Sequence, residues 1–318
     1  RTKKRVTIYT AGSLNYSDYD ADIIIVDECH ELATDNYRKL MMRYNPKRSY
    51  AFSATVNKRA DNADFLIEEI FGPVIFEARY NEAVIEKSVV PIRIIWYRCD
   101  STVTLFKFNG DIYEYKKNRI WRNDQRNRRI VEIANQFVKN NKQVLILVDT
   151  IEHALNIERF DNEMIVCCRQ PDSTRLKRLK SRGLNVDKIV NSAEEFEKMI
   201  ENFRSRKIMK MVATDVLSTG VSFEDLEVLI RADAKASKIF SVQAPGRVSR
   251  NSNAVRKETG IVVDLYDSKD KLSMKYAKER YKQYKEVGWS QEDSDGNSVS
   301  VIFESKTLRR YNKQRKSS

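Results

Sequence analysis

Short apolar runs alternate with segments of helical spacing along this chain. Residues 22–26, 143–148, 164–168, 208–213, 228–231 and 261–265 are runs of strand length. Such runs suit parallel strands buried on both faces. Residues 6–10 and 50–55 are shorter β-prone stretches. Helical spacing covers residues 31–42 and 64–71, and Gly72-Pro73 stops the second. Ile130, Ile133, Ala134 and Phe137 mark one helix face. Ser192-Ala193-Glu194-Glu195 reads as a capping box, with Phe196, Met199, Ile200 and Phe203 as the buried stripe behind it. Residues 274–286 predict a terminal helix. Strands alternating with helices predict an α/β fold with parallel, doubly wound sheets. Residues 104–115 instead alternate apolar and polar around Asn109-Gly110. That pair accepts positive φ, so a surface hairpin is expected. Val89-Val90-Pro91 breaks the pattern and sets a domain boundary near Lys87. The expected organisation is residues 1–87, residues 88–270, and a terminal helix with a solvated basic tail over 271–318.

The 318 residues accommodate two ordinary α/β domains, and a hydrophobic fraction of 41% supplies real cores. No apolar run approaches the roughly 18–20 residues of a membrane span, so no membrane partner is expected. Cys29, Cys99, Cys167 and Cys168 lack paired metal spacing and read as reduced thiols of an intracellular, cytoplasmic protein. His30 and His153 are the only histidines, which excludes a histidine-rich metal site. The formal charge of +13 favours polyanions, nucleic acid first. Lys116, Lys117, Arg119, Arg122, Arg126, Arg128 and Arg129 concentrate that charge around Trp121. The stretch either tracks phosphates and stacks a base or forms a solvated helix face, and the second is expected of charge runs.

Candidate chemistry sits at strand ends. The run ending at Val26 delivers Asp27-Glu28-Cys29-His30 to the crevice where parallel sheets bind ligands. Adjacent carboxylates there suit phosphoryl chemistry: one holds magnesium through water, the other orients the attacking water. A capped strand with a solvated acidic loop is the other reading. Ser53-Ala54-Thr55 follows a second strand, and its hydroxyls can link a carboxylate to neighbouring groups. Ala213-Thr214-Asp215 leads through Thr219-Gly220 to Ser222, with small and hydroxyl residues that allow close backbone approach. Gln243-Ala244-Pro245-Gly246-Arg247-Val248-Ser249-Arg250 places two arginines three apart, which on a helix share one face. Such arginines can stabilise a γ-phosphate in its transition state, although an exposed basic helix is their usual fate.

The order of these elements, over roughly residues 5–268, resembles motifs II, III, V and VI of superfamily-two helicases. The resemblance implies two RecA-like domains with parallel sheets, the first incomplete, and ATP bound with magnesium in their cleft. It implies a helicase or translocase acting on nucleic acid, DNA favoured over RNA. By position, Asp27 looks like the magnesium ligand and Glu28 the catalytic carboxylate. His30, Ser53, Thr55 and Asp215 would couple the site to the second domain. Gln243 and Gly220 would approach the nucleotide, and Arg247 and Arg250 would be arginine fingers. Thr10 and Gly12, in a motif Ib-like stretch, would touch nucleic acid, as would Thr150 after Asp149, Thr214 and Thr219. Ser222 stands where DEAD-box proteins carry a ribose-contacting Asp, which puts that contact in doubt. The Ser-Thr-Gly-Val-Ser version of motif V is more similar to phage recombination and branch-migration helicases, which remodel branched DNA or R-loops. A phage-infected cell would then be one setting. None of the nine glycines is followed by Lys, so no G-x-x-x-x-G-K-[ST] loop occurs. A fragment cut upstream or a split gene accounts for this. The competing functions are a nucleic-acid-binding module without ATPase activity and the translocase subunit of a restriction system.

Overall fold

The computed structural model describes residues 6–10, 21–44, 46–53, 64–100, 108–190, 192–214, 223, 225–250 and 257–304. Contacts divide the chain into two units, Arg1–Ala78 and Arg79–Ser318.

In the first unit, strands β1 (Ile23–Val26) and β2 (Arg48–Ala51) pair in parallel, with Ile23 opposite Arg48 and Val26 opposite Ala51. Helices α1 (Asp35–Met41) and α2 (Asp64–Phe71) accompany them. A small core joins Cys29, Leu32, Ala33 and Ile67 to Val26, Tyr37, Ala51 and Phe71. β1 is not buried on both faces as its apolar run predicts: Ile23 and Ile25 are exposed on alternate positions. Residues 6–10 form no strand and are fully exposed, since no neighbour supplies a ladder.

The second unit opens with helix α3 (Tyr80–Ile85). The Tyr80 ring stands edge-on to Trp289 at 6.1 Å, and its hydroxyl accepts from Ile92 N at 2.6 Å. Strand β3 (Ile92–Arg98) follows, then α4 (Ile112–Lys116), a π-helical turn (Lys117–Trp121) and α5 (Asp124–Lys139). The chain continues through β4 (Val144–Leu147), α6 (Ile151–Glu158), β5 (Ile165–Cys167), α7 (Ser173–Lys180), α8 (Ala193–Arg204) and β6 (Lys210–Ala213). It closes with β7 (Val228–Arg231), α9 (Lys238–Gly246), β8 (Gly260–Tyr266), α10 (Lys271–Val287), β9 (Ser290–Asp293) and α11 (Ser300–Glu304). The seven strands form one sheet in the order β5-β6-β4-β7-β8-β3-β9, every pairing parallel.

Alternation along β4 shows why both faces are apolar. Leu145 and Leu147 pack with α8 and α10, through Phe203, Tyr281 and Tyr284. Val144 and Ile146 pack with α5 and α6, through Ile130, Ile133 and Leu155. The capping box holds: Glu195 N donates to Ser192 Oγ at 3.1 Å. The expected hairpin is overturned, because residues 112–116 are helical. Asp111 accepts from the backbone N–H groups of Tyr113 and Glu114 and caps that helix, so Gly110, at φ +100°, turns the chain into a helix rather than a strand. Residues 104–107 and the tail 309–318 lie outside the described residues.

Burial also fixes a titration. His153 is fully buried and its Nε2 pairs with Asn127 Oδ1 at 3.2 Å. Burial, then the neighbouring Arg126 charge, pushes its pKa from 6.5 down to about 3. The folded state therefore binds fewer protons than the unfolded chain between those values. This contribution to stability is complete above pH 6.5 and is lost as pH falls towards 3. The slope is on the order of 1.4 kcal/mol per pH unit. Urea unfolding at pH 7 and pH 5 is expected to show a clear loss for the parent and a smaller one for His153→Gln. Equal losses in the two proteins would contradict a neutral His153.

Candidate nucleotide and nucleic-acid site

The two units each carry part of the constellation. In the first, β1 ends at Val26, and Phe52 N donates to Val26 O at 2.8 Å while Cys29 N donates to Phe52 O at 3.0 Å. These bonds hold residues 27–30 beside the end of β2. Glu28 adopts a left-handed backbone, φ 50° and ψ 43°, which a non-glycine residue holds only when its surroundings impose it. Its N–H donates to Asp27 Oδ1 at 2.9 Å. Both carboxylates are exposed. His30 is buried, and its Nδ1 lies 2.9 Å from Ser53 Oγ and 3.3 Å from Glu28 Oε2. Sequence reasoning grouped these three residues, and the structure brings them together. Cys29 is buried beneath them, and burial followed by the Glu28 charge pushes its thiol pKa up, which suits packing rather than reactivity. Thr55 and Gly12 lie outside the described residues, and Thr10 is exposed.

In the second unit, Gln243 and Arg247 are half-buried and Arg250 is exposed. The expected common helix face is corrected. Pro245 sits in the last turn of α9, the chain tightens into a 3-10 turn over Arg247–Ser249, and Arg250 is extended. This turn is pinned on both sides. Val90 N donates to Ser249 O at 2.8 Å, and a Cβ on Gly260 would collide with the Val248 carbonyl. Burial, then Arg250, lowers the Arg247 pKa. Thr214 follows β6 and its N–H donates to Cys167 O at 3.2 Å. Asp215, Thr219, Gly220 and Ser222 lie outside the described residues. Thr150 caps α6 by accepting from His153 N at 3.2 Å.

The basic stretch is not a solvated face. Lys116 pairs with Asp149 at 2.7 Å, Lys117 with Glu114 at 2.6 Å, Arg119 with Asp270 at 3.6 Å, and Arg122 with Glu152 at 2.6 Å. Arg126 is buried and donates to Ala232 O at 3.2 Å. Asp149, Ala232 and Asp270 follow the ends of β4, β7 and β8, so the stretch lies along the carboxyl edge of the sheet. Trp121 is buried, not offered to a base.

One cluster escaped sequence reasoning. Arg231, Asp233, Asp264, Arg280 and Tyr284 form a fully buried network. Arg280 spans both Asp264 oxygens at 2.9 Å, and Arg231 reaches Asp233 Oδ2 at 2.8 Å and Tyr284 Oη at 2.7 Å. Arg231 Nη2 also donates to Lys235 O at 3.0 Å, which ties the segment entering α9 to α10. A carboxylate inside the apolar run 261–265 was the available signal. Among the described residues, no group of three His, Cys, Asp or Glu side chains could hold a metal.

Two families match this sequence. The helicase conserved C-terminal domain matches residues 129–252, and the res subunit of type III restriction enzymes matches residues 2–58. The viral protein named "Putative helicase 22", from Sulfolobus islandicus filamentous virus (isolate Iceland/Hveragerdi), is 22% identical over 265 residues, 79% of this chain and 43% of the viral protein. A fragment assigned as an HsdR subunit of a type I restriction enzyme from Vibrio vulnificus YJ016 has a TM-score of 0.59 at 18% identity, over 87% of this chain and 49% of that one. S. cerevisiae Dbp5 bound to RNA and ADP BeF3 has a TM-score of 0.52 at 16% identity, over 89% of this chain and 62% of that one. The fold is that of the two-domain RecA-like α/β proteins. The chain belongs with the superfamily-two helicases. It spans less than two thirds of the length of these relatives.

Proposed function

We propose that this chain is the larger part of an ATP-dependent helicase or translocase motor that moves on branched or duplex DNA or R-loops. The observation that carries the reading is His30, joined at once to Glu28 and Ser53 at the carboxyl ends of two parallel strands. That arrangement links a phosphate-side carboxylate to a hydroxyl relay, as a coupled ATPase needs. Asp27 would hold magnesium through water, and the ion would neutralise phosphate charge. The exposed carboxylate of Asp27 at a strand end fits that role. Glu28 would orient the attacking water. Gln243 and Gly220 would face ATP, and Arg247 and Arg250 would meet the γ-phosphate. His30, Ser53, Thr55 and Asp215 would couple hydrolysis to movement, with Thr10, Gly12, Thr150, Thr214 and Thr219 on the nucleic acid. Lobes over residues 1–87 and 88–270 would close around the nucleotide.

The match to a restriction res subunit and the likeness to an HsdR fragment favour DNA, and they support a restriction translocase as the second reading. The free cysteines are consistent with action in the cytoplasm. Among the described residues, no helix is long and apolar enough to cross a membrane.

The charge of +13 makes a direct test available on the chain itself. Each neutralised phosphate releases counterions, so affinity for DNA should fall by a factor of about a hundred or more between 50 mM and 200 mM salt. Fluorescence anisotropy across that range measures it. A binding constant that barely moves with salt, or no binding at all, would remove nucleic acid as the partner.

A further inference from the structure

Phe108, Ile112 and Tyr113 leave an apolar patch on the surface, at 48%, 40% and 59% exposure. Buried rings back the exposed ones. Tyr113 stands edge-on to Trp121 at 5.1 Å, and Phe108 stands edge-on to Tyr115 at 5.9 Å. The π-helical turn that follows α4 is a rare geometry found often at functional sites. Tyr115 Oη donates to Asp270 at 2.9 Å and Lys116 to Asp149 at 2.7 Å, which anchors the element at the carboxyl edge of the sheet. Parallel sheets bind their ligands at that edge.

The charge around the patch is unbalanced among the described residues. Asp149 is shared by Lys116 and Lys235, and Glu152 by Arg122 and Arg182. Arg126 is buried with a carbonyl as its acceptor, Ala232 O, and its Nε meets none. A partner for this surface must therefore bring both flat apolar faces and negative charge. We propose that Phe108 and Tyr113 form a stacking platform for the bases of a single nucleic-acid strand, whose phosphates meet the surplus cations behind it. Every base has a π-face, so the platform would hold a strand whatever its sequence. The inference rests on the nucleic-acid motor reading and adds a contact that the helicase motifs do not supply.

The test is anisotropy of a short labelled oligothymidylate titrated into residues 1–318, with circular dichroism to confirm folding. Phe108→Ala/Tyr113→Ala should weaken binding about tenfold or more, the range of lost base stacking. The salt slope should stay that of the parent, because no phosphate contact is removed. Tyr113→Phe should bind like the parent. An oligomer of abasic sites should bind the parent and the double variant alike. Trp121 fluorescence should be quenched by the strand in the parent and not after Trp121→Phe. Should the double variant fail to fold, Tyr113→Ala alone is read in its place. Equal binding by parent and variant, with a steep salt slope retained, overturns the platform and leaves the motor reading standing. No binding by the parent at low salt overturns both.

Discussion

Replacing Arg247 or Arg250 by alanine, in the motor completed by a phosphate-binding loop, is expected to lower ATP turnover by on the order of a thousandfold or more. The expectation comes from where the chain holds these side chains. Pro245 forces the helix end into a tight turn, and the Val90 and Gly260 contacts fix that turn against the sheet. Arg247 is half-buried, and the neighbouring Arg250 charge adds to burial in lowering its pKa. Two guanidinium groups that disfavour each other's charge are best relieved by an anion arriving beside them. The charge that develops on a transferring phosphoryl group is such an anion, and stabilising it acts on the transition state rather than on binding. Nucleic-acid affinity should therefore stay close to the parent's while kcat falls. Steady-state ATPase rates with saturating DNA, read beside anisotropy on the same proteins, separate the two effects. Turnover near the parent's in both variants would make these arginines a basic surface turn.

Much of this architecture is legible in the sequence, for reasons visible in particular residues. Val144 to Val148 and the run 228–231 read as buried strands because they lie in the middle of a sheet covered on both faces, where no polar alternation is needed. The stripe Met199, Ile200 and Phe203 is helical and buried as its spacing requires. The signal fails where tertiary partners decide. Residues 290–293 contain Ser, Gln, Glu and Asp and look like loop, yet they form edge strand β9 because β3 offers a ladder and only one side needs pairing. Asn109-Gly110 carries a hairpin signature, but Asp111 supplies a stronger local cap and the chain turns into α4. The grouping of His30, Ser53 and Glu28 was legible through motif order, not through any local property of those residues. The ion pairs of residues 116–122 were not legible, since their carboxylates come from Asp149, Glu152 and Asp270, far along the chain.

Residues 1–318 alone are expected to hydrolyse ATP at no useful rate, and an upstream extension carrying a glycine-rich loop is expected to restore it. No G-x-x-x-x-G-K-[ST] loop occurs in this sequence, so nothing cradles the β- and γ-phosphates with backbone N–H groups and a lysine. The Ser or Thr of such a loop also helps hold magnesium, which leaves Asp27 and Glu28 with a poorly placed ion. Phosphoryl transfer depends almost wholly on positioning and charge stabilisation, so losing half the cradle removes most of the rate. The surface of the first unit points the same way. Ile25 is 67% exposed, Phe52 59%, Ile75 86% and Phe76 80%, on a unit with two paired strands among its described residues. Apolar faces of that kind call for further strands or a partner, and left open they invite association. The extension should therefore also reduce aggregation, measured by light scattering, alongside the gain in turnover. Steady-state assays of both chains, with and without DNA, decide the matter. If residues 1–318 turn over ATP as fast as the extended chain, Asp27 and Glu28 do not belong to the site described here. If the short chain is silent and the extension brings both activity and solubility, the first unit is half of a nucleotide-binding lobe.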